Sequence, residues 1–160
     1  MAPYAFRPAC SPHLAAARAG VRIDLACITR AARALAAAHD FVVVEGAGGV
    51  LVPLDGRLTM VDLMRRLGLP VLLVARTGLG TINHTLLSLL ALRENGLAVA
   101  GVVFNQSSPG RRGIIERDNV QTVARLGRVA VAACLCHQQG RRATTINRRA
   151  LDRLAAQVIE

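Results

Sequence analysis

With 160 residues and 52% hydrophobic content the chain has the length of one domain and enough apolar material for a real core, and at 2% aromatics that core has to be aliphatic. No apolar run reaches the ~18 residues of a membrane-spanning helix before Gly, Pro or charge interrupts it, and the first residues lack the charged and apolar blocks of a signal peptide, so a cytoplasmic protein is expected. The formal net charge of +10 comes from 20 basic residues, every one an arginine, against 10 acidic ones; scattered in pairs such as Arg65-Arg66, Arg111-Arg112, Arg141-Arg142 and Arg148-Arg149, with few aromatics to stack on bases, they read as solvated helix faces rather than a nucleic-acid surface.

In chain order, Pro3, Pro8 and Pro12 keep residues 1 to 22 irregular, apart from a short helical turn over Leu14 to Arg18. Asp24 is placed to cap a helix in which Leu25, Ile28, Ala31, Ala32 and Leu35 recur at helical spacing up to Ala38. Phe41 to Val44, bulky and rich in β-branching, predicts a strand buried on both faces, as in a parallel sheet. Val50 to Leu54 reads as an apolar connection and Asp55-Gly56 as a turn. Thr59 then opens a helix through Leu67, with Asp62 at capping-box spacing and Gly68 and Pro70 ending it.

Val71 to Ala75 predicts a second buried strand. A polar loop from Arg76 feeds a helix from Ile82 to Asn95, with Thr81 as its expected N-cap and Gly96 ending it. Such a helix start, with free amides beside Asn83 and His84, suits a carboxylate or phosphate. Val99 to Phe104 predicts a strand that ends in Asn105. A helix within Arg111 to Leu126, a strand at Val129 to Ala133 and an amphipathic helix from Asn147 to Ile159, with Leu151, Leu154, Ala155 and Val158 on one face, complete the pattern. Alternating helices and apolar strands, with no linker or repeat, predict one α/β domain over residues 1–160 with a parallel sheet and helices on both faces.

The acid at the end of the first apolar run is the chemical centre of this reading. Glu45 is followed by Gly46-Ala47-Gly48-Gly49, backbone able to turn sharply and approach a ligand closely, and ligands of open α/β sheets bind beyond the carboxyl ends of the strands. Cys10, Cys27, Cys134 and Cys136 show no repeated spacing. Cys134-Leu135-Cys136-His137 lacks the second cluster a structural zinc needs, so Cys134 and Cys136 read as small buried hydrophobes near a strand end.

Several motifs together resemble the ATP-dependent dethiobiotin synthetases of the P-loop NTPase superfamily. They are Pro3-Tyr4-Ala5-Phe6 with Ser11-Pro12-His13-Leu14-Ala15-Ala16, then Val44-Glu45-Gly46-Ala47-Gly48-Gly49 with Val52-Pro53-Leu54, and Thr59 with Asp62-Leu63. Leu69-Pro70-Val71, Leu79-Gly80-Thr81-Ile82-Asn83-His84 and Ala100-Gly101-Val102-Val103-Phe104-Asn105 continue the likeness in order, over about residues 3 to 105. The resemblance implies a three-layer α/β/α fold and an ATP-dependent ring closure of 7,8-diaminononanoate with carbon dioxide to dethiobiotin. It also implies a homodimer with the substrate site at its interface.

Carried over by residue, the resemblance makes Glu45 a Mg²⁺ ligand. It assigns Glu45, Gly46, Gly48 and Gly49 to catalysis, and Glu45, Gly46, Ala47, Gly48 and Asn105 to ATP, with Asn105 reading adenine. Ser11, Thr81, Ile82 and Asn83 fall to the substrate. The family's P-loop, GxxxxGK[ST], has no counterpart in this sequence, which contains no lysine. The expectation is therefore the C-terminal portion of such a domain, N-terminally incomplete and inactive alone. Where the family holds adenine with a Pro-containing loop, this chain has Ala133-Cys134-Leu135-Cys136-His137. A non-catalytic dimerisation or ligand-binding module derived from the family is the alternative reading.

Overall fold

The computed structural model describes residues 1–110, 113–138 and 145–159, with the side chains of the last helix described over 147–156. The arginine pairs Arg111-Arg112 and Arg141-Arg142 lie outside the described residues. The chain falls into two compact units, one of Met1–Leu69 with Asn95–Leu97 and the other of Pro70–Glu94 with the chain from Ala98 onward.

The first unit holds helices α1 (Pro12–Arg18), α2 (Leu25–Ala38) and α3 (Met60–Leu67). Asp24 caps α2 as expected: its Oδ1 accepts from the Ala26 amide at 2.8 Å, and its own amide donates to the Tyr4 hydroxyl at 3.0 Å. Ala16, Ile23, Leu25, Leu54, Met60 and Leu63 form a buried aliphatic cluster, with Tyr4 and Phe6 folded against it. Gly68, at φ +67, ends α3 in the left-handed conformation that glycine takes most readily.

Phe41 to Val44 departs from expectation. The segment belongs to no strand, and Phe41, Val43 and Val44 are 55%, 77% and 38% exposed. An apolar run becomes a strand only where a neighbour completes its backbone hydrogen bonds, and among the described residues none is assigned to it.

The second unit contains a parallel sheet in the order β1 (Val71–Arg76), β2 (Val99–Asn105), β3 (Val131–Leu135). Helices α4 (Thr81–Glu94) and α5 (Ile114–Gly127) cover one face, where Leu89 and Val123 pack on Val102 and Phe104. The closeness of these two helices rests on Gly127, where a Cβ would stand 2.8 Å from Leu89 Cδ1. Helix α6 (Thr145–Ile159) covers the other face, with Ala150 and Leu154 against Val103 and Ala133. Helices on both faces of a parallel sheet are therefore present as expected.

Several details of this unit differ from the sequence reading. β1 lies at the edge of the sheet, so Val74 is 62% exposed instead of buried. β3 starts two residues late, because Val129 still closes the end of α5 through its amide to the Ala124 carbonyl, and Arg128 takes a left-handed turn. The buried face of α6 is Asn147, Ala150 and Leu154, whereas Leu151 and Ala155 are exposed; the Val158 side chain lies outside the described residues.

Candidate functional site

The glycine loop of the first unit is shaped by the helix that follows it. The first amides of an α-helix lack intrahelical acceptors, and at α3 they are taken by the loop: Met60 N–H donates to the Val52 carbonyl and Val61 N–H to the Val50 carbonyl, both at 2.9 Å. The Thr59 amide and hydroxyl both donate to Asp62 Oδ2, at 2.7 and 2.9 Å, which holds the Asp62 carboxyl below its usual range. The start of α3 is thus an anchor for the loop, in keeping with a structural role for Thr59 and Asp62.

Within the loop the glycines differ. Gly48 sits at φ +83, and a Cβ there would lie 2.9 Å from Val52 Cγ2. At Gly46 a Cβ would meet the Met60 sulfur at 3.3 Å, whereas Gly49 faces open space. Glu45 and Ala47 are exposed. Ser11 stands at the N-terminus of α1 and makes no side-chain cap bond, and two residues on the His13 amide donates to Pro53 at 3.3 Å, bringing the start of α1 onto the far limb of the same loop. Beyond it, Asp55 Oδ1 accepts from the Arg57 and Leu58 amides at 2.7 Å each, closing the expected turn and lowering that carboxyl's pKa.

In the second unit the strand ends line up, with Arg76 opposite Asn105 and Asn105 opposite Leu135. Asn105 is exposed at that rim. Thr81 corrects the expectation of an N-cap: it is the first helical residue, 2% exposed, and its hydroxyl turns back to donate to the Arg76 carbonyl at 2.6 Å. The chain enters α4 through Gly80 at φ +88. Ile82 is half-buried in the core beneath α4, and Asn83 and His84 are exposed.

Three buried amide side chains brace this rim, and sequence reasoning passed over them. Asn119 donates to the Thr77 carbonyl at 2.9 Å; Gln106 donates to the Ser108 and Gly110 carbonyls at 3.0 and 2.7 Å; Asn147 bonds the backbone of Cys136. Their signal was a polar residue on an otherwise apolar helix face or at a strand end. The loops held by Asn119 and Gln106 border a cleft of about 260 Å³, lined among others by Arg76, Thr77, Ser107, Ser108 and Glu116. Cys134 packs against the sheet core as a small hydrophobe, and among the described residues no three His, Cys, Asp or Glu side chains gather to hold a metal. No helix among the described residues is long and apolar enough to cross a membrane.

Comparison with known proteins gives this geometry a family. The family model described as an AAA domain matches residues 1–141. The ATP-dependent dethiobiotin synthetase of Anaeromyxobacter dehalogenans (strain 2CP-1) is 57% identical over 107 residues, covering 67% of this chain and 48% of that protein. The synthetase of Pseudomonas paraeruginosa is 50% identical over 123 residues, 76% of this chain and 53% of the relative, and that of Halalkalibacterium halodurans 44% identical over 125 residues, 77% and 51%. The chain spans about half the length of the curated relatives it matches. A parallel α/β sheet flanked by helices, together with a family match over most of its length, makes this chain a member of the AAA domain family and a homologue of the ATP-dependent dethiobiotin synthetases.

Proposed function

We propose that the chain contributes to the ATP-dependent closure of 7,8-diaminononanoate and carbon dioxide into dethiobiotin, as a cytoplasmic ligase acting on small molecules, with no nucleic-acid or membrane partner. The observation that carries this reading is the 57% identity to a dethiobiotin synthetase over 107 residues. In that reaction one amine takes up carbon dioxide as a carbamate, ATP phosphorylates the carbamate, and the second amine displaces phosphate to close the ring.

Each group has an assigned part. Gly46, Ala47, Gly48 and Gly49 present backbone to the carbamate and the transferred phosphoryl group, on a loop that α3 anchors. The α4 start, with Ile82, Asn83 and the buried Thr81 that shapes it, receives the substrate carboxylate, and Ser11 contributes to the substrate side. Asn105, with an amide that both donates and accepts, reads adenine. Magnesium is commonly held by one or two carboxylates, with water and substrate phosphates filling the remaining positions. One exposed carboxylate, Glu45, fits that demand, and the ion when bound would neutralise charge on the ATP phosphates.

Turnover also needs a cation at the β/γ-phosphates, which P-loops supply as lysine. These 160 residues contain no lysine, so the chain alone is proposed to bind without turning over. An outer face of α4 with Leu87 and Leu90 each 56% exposed, and Leu79 ahead of it 92% exposed, supports pairing of two copies around the substrate site. The test is calorimetry with diaminononanoate, run beside mass spectrometry for dethiobiotin. Saturable binding that weakens roughly tenfold in Asn83→Ala, about 1.4 kcal/mol, is expected. Absence of heat with the wild-type chain overturns the substrate assignment. Dethiobiotin formed by the chain alone overturns the requirement for an outside cation, and unchanged Mg²⁺ affinity for the ATP-bound chain in Glu45→Gln overturns the metal assignment.

A further inference from the structure

A buried side chain of α6 bonds the backbone just beyond β3. Asn147, 3% exposed on α6, accepts from the Cys136 amide through Oδ1 at 2.7 Å and donates from Nδ2 to the Cys136 carbonyl at 2.8 Å and to Gln138 Oε1 at 3.1 Å. A primary amide that both accepts from and donates to one residue's backbone reproduces the hydrogen bonding of a neighbouring strand, and so fixes that residue in position and in rotation. Cys136 is the first residue beyond β3, directly after Leu135, which stands in register with Asn105 and whose carbonyl accepts from the Gln106 amide at 3.1 Å.

The bonded loop is therefore the neighbour of Asn105 at the carboxyl rim, where open parallel sheets receive their ligands. We infer that Asn147 is a positioning residue for nucleotide binding: it reaches from α6 to fix the loop over residues 136–138 as the wall beside Asn105, without touching the nucleotide itself. The inference rests on the proposed assignment of Asn105 to the ATP base and names the element that gives that site its second side. β3 ends at Leu135, so the bonds of Asn147 act on the chain just beyond the strand and not on the pairing of β2 with β3.

The experiment is isothermal calorimetry with ATP and, separately, with diaminononanoate on the wild-type chain, Asn147→Ala and Asn147→Asp, with amide exchange at Cys136 followed in parallel. Asn147→Asp keeps the volume and the acceptor for the Cys136 amide but cannot donate to the carbonyl, so it stays informative if the alanine variant fails to fold. Expected are ATP binding weakened roughly tenfold in the alanine variant and by a smaller factor in the aspartate variant, faster Cys136 exchange in the alanine variant, and diaminononanoate affinity within about twofold of wild type. Faster exchange with unchanged ATP affinity overturns the inference, since Asn147 is then a structural clamp only. Equal loss for both ligands overturns it too. Failure of ATP to bind the wild-type chain overturns the nucleotide reading and this inference with it, whereas ATP binding wild type and variants alike overturns the inference alone.

Discussion

Gly48→Ala isolates what the glycine loop demands of its backbone. At φ +83 an L-residue costs about 1–2 kcal/mol in the left-handed region. The new Cβ would lie 2.9 Å from Val52 Cγ2, against about 3.5–4.0 Å for relaxed carbon contacts. Val52 is β-branched and stiff at χ1, and its carbonyl and amide are both engaged, to Met60 and Gly49, so it has little room to yield. Overpacking of this kind costs about 1–3 kcal/mol. Alanine recovers about 0.4–1 kcal/mol by narrowing the unfolded ensemble. The net is a loss of roughly 1–4.5 kcal/mol, read as a urea midpoint about 0.5–2 M lower for a slope near 2 kcal/mol/M. Gly49→Ala is the control, one residue away with open space around it, and is expected within about 0.5 kcal/mol of wild type. In the double variant Gly48→Ala/Val52→Ala the steric share should vanish as a coupling of about 1–3 kcal/mol. Equal midpoints for Gly48→Ala and Gly49→Ala would refute the reasoning.

Thr81→Val removes the hydroxyl bonded to the Arg76 carbonyl from a buried site and should cost about 1–3 kcal/mol, while Thr81→Ser stays close to wild type; equal thermal stability of the two variants would contradict the structural role. Asp62 and Asp55 have lowered pKa values in the fold, so their contribution is complete above the ordinary carboxyl value of about 3.9 and is lost as pH falls through the lower folded value. Stability measured from pH 6 down to 2 should therefore fall less steeply below about pH 4 in Asp62→Asn than in wild type. Arg128, the one described non-glycine residue at positive φ, should be improved by glycine: Arg128→Gly is expected to gain about 0.5–1 kcal/mol, a rise of about 1–4 °C in Tm, because its bond from Arg93 uses only the backbone carbonyl.

Local signals in the sequence carried most of the helices. Asp24, Thr59 with Asp62, Gly68 and Gly96 each act within a few residues, so their effect is visible without knowing what packs nearby. The strand at Phe41 to Val44 was a different kind of inference. β-branching reports that a segment suits a pleated, covered surface, whereas a ladder requires a second segment that composition cannot name. Likewise the burial expected of β1 held only in part, because edge or centre is a property of the whole sheet order. Asn119, Gln106 and Asn147 were hidden for a related reason: a buried amide is identified by the carbonyls it reaches, 42 residues away in the case of Asn119 and Thr77.

The motif Glu45-Gly46-Ala47-Gly48-Gly49 was legible as a loop but not as a division of labour among its glycines. Gly48 is required by the fold itself, through its φ and through Val52, and Gly46 is favoured by its contact with Met60. Gly49 is different: its φ is ordinary and no atom stands within the reach of a Cβ. Gly49 shares this freedom with Gly56 and Gly78, so the fold itself neither requires nor forbids a side chain there. Under the proposed function the backbone of Gly49 faces the phosphorylated carbamate, which a Cβ would crowd. It follows that Gly48→Ala should damage stability and ligand binding together, whereas Gly49→Ala should leave the unfolding midpoint in place and weaken binding alone, measured as the affinity for ATP with diaminononanoate and bicarbonate present. A Gly49→Ala chain that binds as well as wild type would remove the backbone of this residue from the site and return the motif to a purely structural role.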